Sequence, residues 1–240
     1  MLRRAVMGGF ALAIGALLAA PTPGRAEEPA PIVVELFTSQ GCASCPPADE
    51  ELAELARDPR IITLSIHVDY WDYLGWRDIF GSPAHTERQR AYADFMGERM
   101  IYTPQMVVQG GAHVVGSHGA KLRALIDNHR GDKPLARVTL RRNGDLIEIE
   151  IAREDAARGS GNVVMAWFTD VENVDIVKGE NRGKRLTYHN VVKGWADLGR
   201  WDGDDTEVVA PLPEDADGVA VLVQQAVGGP ILGAGRLALR

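Results

Sequence analysis

Short apolar runs alternate with amphipathic segments in the first half of the chain. Pro31–Ser39 ("PIVVELFTS") and Arg60–Asp69 ("RIITLSIHVD") are rich in β-branched residues and predict buried strands. Pro46–Arg57 has leucines at helical spacing behind two prolines, which the first turn of a helix tolerates. His85–Met96 and the segment "AKLRALIDNHR" predict two further helices, with a strand pair around a Gly-Gly turn between them. This order predicts an α/β domain over residues 30–131.

The pattern changes beyond "GDKP" at 131–134 to runs in which apolar and polar residues alternate. Asn143-Gly144 lies between two such runs, which is a strong hairpin signal. The later segments continue as strands separated by Gly-rich turns, so residues 135–240 predict an antiparallel β domain. The predicted fold class is therefore an α/β domain followed by an all-β, sandwich-like domain.

The first 26 residues have the pattern of a secretory signal peptide. Arg3 and Arg4 precede an apolar run from Ala5 to Ala20, and small residues follow at the positions that a signal peptidase reads. The run is shorter than the roughly 20 residues that a membrane-spanning helix needs, although an uncleaved anchor is the alternative. We expect cleavage near Ala26, a periplasmic or secreted protein, and no stable membrane insertion afterwards.

The net charge of the chain bears on its possible partners. The 240-residue chain has 26 Lys and Arg against 33 Asp and Glu, a formal net charge of −7. Such a chain lacks the basic footprint of a nucleic-acid-binding protein, so we expect no nucleic-acid partner.

The chain has two cysteines, Cys42 and Cys45, directly before the first predicted helix. A disulfide across two intervening residues closes a very short loop and removes little entropy from the unfolded chain, so this pair is a poor structural staple. The positive end of a helix dipole stabilises a thiolate, although Asp49, Glu50 and Glu51 oppose that effect. The spacing predicts Cys42 as an exposed nucleophile and Cys45 as the resolving thiol.

A Cys-x-x-Cys pair at the start of a helix, followed later by Thr103-Pro104 in "IYTPQMVVQGG", resembles the thioredoxin-like superfamily over residues 30–131. The resemblance implies a cis peptide bond at Pro104, opposite the cysteines, and binding of a substrate backbone by Thr103 and Pro104. It also implies a thiol–disulfide oxidoreductase that acts on a protein or a small thiol or disulfide. Such an enzyme needs no cofactor, because its cysteines carry the electrons.

The whole chain resembles a narrower group, the secreted bacterial domain-of-unknown-function family 1223. The strings that carry this resemblance are "ELFTSQGCASCPPAD", "HVDYWDYLGW" and "YTPQ", at 35–49, 67–76 and 102–105. It implies a fold and a compartment, and no particular activity. Ala43 and Ser44 between the cysteines differ from the pairs in better-studied thioredoxin relatives, so the oxidising or reducing direction does not follow from them.

Glu35 and an aromatic stretch provide further candidates. Glu35 interrupts an apolar strand, as a buried acid does in thioredoxins, and is a candidate for proton exchange with Cys45; the alternative is an acid paired with a neighbouring base. Tyr70 and Trp71 are candidates for lining a groove for an apolar peptide or ligand, or for packing their segment onto the sheet. Their position after a strand end is where α/β sheets place sites.

Two other classes of function stay open. Cys42, Cys45 and His67 are a candidate set of Cu(I) ligands in a copper carrier, since soft thiolates select that ion. A structural histidine is the alternative for His67, and the four ligands of a structural zinc site are lacking. The chain would otherwise be a non-catalytic periplasmic binding protein, or an envelope component with a vestigial cysteine pair.

Overall fold

The computed structural model of the chain describes residues 30–154 and 159–240, so the predicted signal peptide lies outside the described residues. Within them the chain forms, in order, β1 (Ile32–Thr38), α1 (Pro46–Leu55), β2 (Ile61–His67), α2 (Pro83–Met96), β3 (Gln105–Val108), β4 (Ala112–Val115), α3 (Gly119–Asn128), β5 (Ala136–Asn143), β6 (Leu146–Arg153), β7 (Gly161–Asp175), β8 (Arg185–Trp201), β9 (Thr206–Pro211), β10 (Gly218–Gln224) and β11 (Ile231–Ala238). A short 3-10 helix, Asp72–Leu74, follows β2. Across the described ranges, no helix has the length and apolar character needed to cross a bilayer.

The local elements predicted from the sequence are confirmed. The predicted strands and helices of the first half appear as β1 to β4 and α1 to α3, with ends shifted by a few residues. The predicted hairpin joins β5 to β6, where Asn143 pairs with Leu146 and Gly144 has a φ of 61°. This left-handed backbone is the reason that the turn uses glycine.

Eight strands form one mixed sheet in the order β11-β10-β7-β8-β2-β1-β3-β4. Strand β1 lies between β2, to which it is parallel, and β3, to which it is antiparallel. Strand β8 lies parallel to β2 through the pair Ser65 and Val191. Beside this pair, Asn190 Nδ2 donates a 2.7 Å hydrogen bond to Thr63 Oγ1. The second half of the chain therefore extends the sheet of the first half.

The predicted fold class, an α/β thioredoxin-like domain followed by an all-β sandwich-like domain, is wrong. The described chain is mostly β, with three α-helices, and strands of both halves share the eight-stranded sheet. Only β5, β6 and β9 form a separate sheet. Apolar patterning identifies strands but does not show that β8 pairs with a strand more than a hundred residues earlier. The boundary placed at 131–134 stays a prediction.

Alternation along β1 directs its side chains to two different cores. Val34 and Leu36 pack with Ala48 and Leu52 of α1. Val33 and Phe37 belong to the core on the other face, which contains Tyr92 of α2. Successive side chains of a strand point to opposite faces, so the odd-numbered residues of β1 face α2 and the even-numbered residues face α1.

The three-stranded sheet covers the distal part of the large sheet. Ile149 of β6 shares a core with Met165 of β7 and Val221 of β10. This core is separate from the two around β1, so it stabilises the half of the molecule that contains β7 and β10.

Candidate functional site

Cys42 and Cys45 form a disulfide at the carboxyl end of β1, with their Cα atoms 5.4 Å apart. The chain turns there through a 3.1 Å backbone bond from Cys42 N to Ser39 O, and Cys45 directly precedes α1. Cys42 is 2% exposed and Cys45 is 0% exposed. The prediction that Cys42 is exposed is therefore wrong: only Ala43 and Ser44, between the cysteines, are exposed.

Trp71 connects the cysteine loop to Thr103. A Cβ on Gly41 would lie 3.1 Å from Trp71 Cβ, so the loop and this tryptophan pack in direct contact. The indole Nε1 of Trp71 donates a 2.7 Å hydrogen bond to Thr103 Oγ1. The exposed ring of Tyr73 stacks on Trp71 at a centroid distance of 6.4 Å. Trp71 therefore spans the space between the two loops that the sequence assigned to the site.

The Thr103–Pro104 peptide bond is cis, as the sequence resemblance implied. Pro104 lies beside α1, because a Cβ on Gly116 would be 2.7 Å from Ala48 Cβ and 3.1 Å from Pro104 Cβ. Only glycine allows this approach of the Pro104 loop to α1, the helix that follows Cys45. Thr103, Pro104, Trp71 and the disulfide thus lie on one side of the molecule.

Tyr70 has a different environment from that of Trp71. Its hydroxyl donates a 3.2 Å hydrogen bond to Gln89 Oε1 of α2, and its ring packs against the core on the α2 face. Burial raises the pKa of Tyr70 to about 12. Of the two predicted groove residues, the structure brings Trp71 to the cysteine loop and uses Tyr70 to attach the segment to α2.

Glu35 lies on the α2 face of β1, away from α1. Its carboxylate forms a 2.7 Å ion pair with Arg88 Nε and accepts a hydrogen bond from the Tyr92 hydroxyl. Gln224 of β10 donates a 3.0 Å hydrogen bond to the same hydroxyl. Burial raises the pKa of Tyr92 well above its ordinary value, so this phenol is a neutral donor. The structure therefore makes Glu35 the acid of a buried ion pair and does not bring it to Cys45.

Asp49 is the buried acid on the α1 face. It is 6% exposed and accepts a 2.9 Å hydrogen bond from the Thr38 hydroxyl. Its backbone N–H donates a 3.2 Å hydrogen bond to Cys45 O, which places it one helical turn after that cysteine. Burial raises the pKa of Asp49 to about 7, although the nearby charge of His67 and the Thr38 hydrogen bond oppose the rise.

A helical spacing could have revealed the burial of Asp49. Cys45, Ala48, Asp49 and Leu52 follow one another at intervals of three, one and three, and all four are buried. This is one face of a helix. The run Asp49-Glu50-Glu51 concealed that face, because three adjacent acids suggest a solvated surface.

His67 belongs to a second buried pair behind the disulfide loop. Its Nδ1 lies 2.7 Å from Asp78 Oδ2, and Asp78 also accepts a 2.8 Å hydrogen bond from Gln40 N. Burial acts to raise the pKa of Asp78, but the His67 charge and these hydrogen bonds outweigh it and bring the pKa below its usual value. The His67 ring contacts Tyr188 edge-on at 4.6 Å.

The predicted copper set is not assembled. Over residues 30–154 and 159–240, no three side chains of the His, Cys, Asp and Glu types converge as metal ligands. Cys42 and Cys45 are joined by a disulfide bond, and His67 Nδ1 forms a hydrogen bond with Asp78. The site contains the Cys42–Cys45 disulfide and, one helical turn from Cys45, the buried acid Asp49.

Asn181, in the turn between β7 and β8, contacts the cysteine loop from the second half of the chain. It is 1% exposed, and its Nδ2 donates 2.9 Å hydrogen bonds to the carbonyl oxygens of both Gln40 and Cys42. The sequence analysis did not select Asn181, because a single asparagine in a polar turn has no distinguishing pattern.

Comparison with known proteins gives a family and a shared fold. The sequence profile of the family described as "Protein of unknown function (DUF1223)" matches residues 33–224. The crystal structure of protein AGR_C_4864 from Agrobacterium tumefaciens is 38% identical, with a TM-score of 0.79 over 90% of this chain and 97% of that one. HBP35 of Porphyromonas gingivalis is 15% identical, with a TM-score of 0.60 over 88% of this chain and 76% of that one, which is a likeness of fold alone. Among curated proteins no match was found.

Proposed function

We propose that this chain, which belongs to the DUF1223 family of proteins of unknown function, is an exported thiol–disulfide oxidoreductase. The observation that carries the proposal is the Cys42–Cys45 disulfide at the start of α1, on the same side of the molecule as Trp71 and Pro104. A disulfide over this spacing contributes little to stability, so a redox role accounts for it better than a structural one.

The reaction is a pair of thiol–disulfide exchanges. An incoming thiolate attacks Cys42 Sγ and forms a mixed disulfide, while the Cys42–Cys45 bond breaks and leaves its electron pair on Cys45 Sγ, which takes a proton. A second thiolate then attacks the substrate sulfur of the mixed disulfide and releases Cys42 as a thiolate, which is protonated in turn. Two substrate thiols are oxidised to a disulfide and the protein pair is reduced to two thiols; the reverse sequence oxidises the protein.

We assign Cys42 Sγ as the sulfur that the incoming thiolate attacks. Cys42 is 2% exposed against 0% for Cys45, and its Sγ lies 3.5 Å from the hydroxyl of the exposed Ser44, so a displacement of Ala43 and Ser44 would uncover this sulfur first. Cys45 is fully buried where α1 begins. The assignments of Cys42 as the attacked residue and Cys45 as the resolving residue follow from this difference.

Asp49 is the group that we assign to exchange a proton with Cys45, in place of Glu35. A thiolate formed at a fully buried Cys45 is costly, because burial disfavours the charged form. Asp49 lies one turn along the same buried helix face, and its pKa of about 7 leaves both of its protonation states populated at neutral pH. It can therefore donate a proton during disulfide opening and accept one during closure.

The substrate site in this proposal lies between Trp71 and the Thr103-Pro104 loop. Trp71 is half-buried and its indole N–H is bonded to Thr103 in the free protein. A bound peptide or small disulfide would contact this indole and the backbone at Pro104. The protein works in the periplasm or outside the cell, after cleavage near Ala26, and requires no cofactor because the two cysteines carry the electrons.

Trapping of mixed disulfides tests the proposal. In Cys45→Ser the resolving thiol is missing, so partners attached to Cys42 accumulate as adducts that dithiothreitol releases; the matched control Cys42→Ser yields none. Equilibration of the wild-type pair with glutathione buffers is expected to give a reduction potential of roughly −270 to −120 mV, the range of exchange enzymes. A pair that stays oxidised in every buffer and forms no adduct would overturn the proposal.

A further inference from the structure

The turn between β7 and β8 is closed by backbone hydrogen bonds and contacts the disulfide loop. Ile176 is 1% exposed and anchors the turn, and its backbone N–H donates a 2.9 Å hydrogen bond to Lys184 O. Gly183 N returns a 2.7 Å hydrogen bond to Ile176 O. Within this frame Lys184 Nζ donates a 2.9 Å hydrogen bond to Asn181 Oδ1, which orients the carboxamide.

Both donor hydrogens of that carboxamide point to the cysteine loop. Asn181 Nδ2 lies 2.9 Å from Gln40 O and 2.9 Å from Cys42 O, the carbonyl oxygens on either side of Gly41. Because the side chain is 1% exposed, water does not compete for these bonds. The second half of the chain thereby fixes the backbone on both sides of Gly41.

Other side chains also form hydrogen bonds with the loop of residues 40–42. Asp78 accepts a 2.8 Å hydrogen bond from Gln40 N, and Trp76 Nε1 donates a 2.8 Å hydrogen bond to Gln40 Oε1. Trp76 also contacts the β7–β8 turn, since a Cβ on Gly179 would lie 3.1 Å from Trp76 Cβ. Of the side chains Asp78, Trp76 and Asn181, Asn181 is the one that donates a hydrogen bond to the backbone of Cys42.

We infer that Asn181 is a positioning residue through which the second half of the chain sets the redox equilibrium of Cys42 and Cys45. Cys45 is held at the start of α1. Cys42 lies in the preceding loop, and the backbone hydrogen bond that connects it to the start of the helix is the 3.2 Å bond from Cys45 N to Cys42 O. In the dithiol no covalent bond holds the two sulfurs together. The Asn181 bonds keep Cys42 near Cys45 and so raise the effective concentration of one thiol at the other, which favours the disulfide.

This inference rests on the proposed exchange activity and predicts the sign of a shift. In Asn181→Ala the loop is freed, the effective concentration falls, and the pair becomes easier to reduce. We expect the equilibrium constant for disulfide formation to fall about tenfold, which corresponds to about 30 mV in reduction potential for a two-electron couple. Asn181→Asp is expected to shift it at least as far, because carboxylate oxygens would face two carbonyl oxygens.

The experiment equilibrates each full-length mature variant with glutathione buffers and measures the oxidised fraction, with thermal unfolding recorded in parallel. Asn173→Ala is the matched control: Asn173 lies on the same strand pair, and its amide oxygen accepts a hydrogen bond from the exposed Thr187. The control is expected to keep the wild-type potential. Lys184→Met removes only the cation that orients Asn181, at an exposed position, and is expected to produce a smaller shift of the same sign.

Two negative results have different meanings. A wild-type pair that does not equilibrate with glutathione removes the proposed activity, and this inference with it. The positioning role alone is overturned if the wild-type pair equilibrates with glutathione and the equilibrium constants of Asn181→Ala and Lys184→Met both lie within twofold of the wild-type value. If Asn181→Ala does not fold, the Lys184→Met measurement decides in the same way.

Discussion

The hydroxyl of Thr38 donates a 2.9 Å hydrogen bond to the carboxyl group of Asp49, which connects the carboxyl end of β1 to the first turn of α1. Both residues are buried, and the side chain of Thr38 points to the α1 face like the other even-numbered residues of its strand. The disulfide loop bridges the same strand and helix. Asp49 therefore lies where it can affect both stability and the chemistry of the pair.

The first prediction concerns stability against pH in the oxidised protein. Burial raises the pKa of Asp49 from 3.8 to about 7, so between these values the folded state holds a proton that the unfolded state releases. The contribution of Asp49 to the free energy of unfolding is then largest below about pH 4 and falls as pH rises to about 7, by on the order of 1.4 kcal/mol per pH unit at most. Asp49→Asn should abolish this decline in urea unfolding measured from pH 4 to pH 8.

Glu50→Gln is the control for that measurement, because Glu50 is an exposed neighbour on the same helix and its loss changes the charge by the same amount. The decline should persist in this variant. A decline that also persists in Asp49→Asn would mean that a different group takes up the proton.

The second prediction concerns the rate of disulfide opening. The rate constant for reduction by dithiothreitol, corrected for the concentration of attacking thiolate, should fall about tenfold from pH 6 to pH 8 as Asp49 loses its proton. In Asp49→Asn this corrected rate should be slower and independent of pH, since an amide cannot donate the proton. Stopped-flow reduction across this range distinguishes the two profiles, and an unchanged profile in the variant would remove Asp49 from the mechanism.

The third prediction separates Glu35 from the chemistry. Glu35→Gln breaks a buried ion pair and leaves Arg88 without its carboxylate, which typically costs about 3–5 kcal/mol. The reduction potential of the cysteine pair and its pH dependence should stay at the wild-type values, because Glu35 faces α2. Urea unfolding and glutathione equilibration measure the two quantities. A change in the pH profile without loss of stability would restore the proton-exchange role expected from the sequence.

The fourth prediction concerns the distance between Pro104 and α1. A methyl group at Gly116 would lie 2.7 Å from Ala48 Cβ, so Gly116→Ala must displace the Pro104 loop or the helix. We expect a loss of about 1–3 kcal/mol in the free energy of unfolding and slower exchange with a peptide disulfide. Gly111→Ala is the control on the neighbouring turn, where the nearest atom to the added Cβ is Gln109 O at 4.0 Å. Equal effects of the two substitutions would contradict the packing argument.

Local sequence signals predicted the elements of this fold, and long-range contacts decided how they combine. β-branched runs predicted β1 and β2, the Asn143-Gly144 pair predicted the hairpin, and the two cysteines before a helix predicted the disulfide site. The pairing of β8 with β2 depends on residues 127 positions apart, such as Thr63 and Asn190, and nothing in either segment specifies it.

The sequence alone points to a buried acid near the cysteines but does not identify Asp49 as that acid. Glu35 attracted attention because one charge in an apolar strand is conspicuous, yet the alternation of β1 directs it to the α2 face with Val33 and Phe37. The helical spacing of Asp49 with Cys45 was present in the sequence but lay within an acidic run. The role of Asn181 depends on where a distant turn docks, and therefore required the tertiary structure.

Strand β2 is an interior strand only because β8 lies beside it. A nascent chain that has reached residue 131 would carry β2 with one side of its backbone open, a template on which another chain can add a strand. The edge is closed by the pairing of Ser65 with Val191, and Asn181, which donates a hydrogen bond to the disulfide loop, lies shortly before Val191 in the chain. Closure of this sheet edge and the Asn181 contacts to the disulfide loop therefore depend on the same late part of the chain, and a chain truncated before Asn181 would lack both and expose the edge of β2 to pairing with another chain.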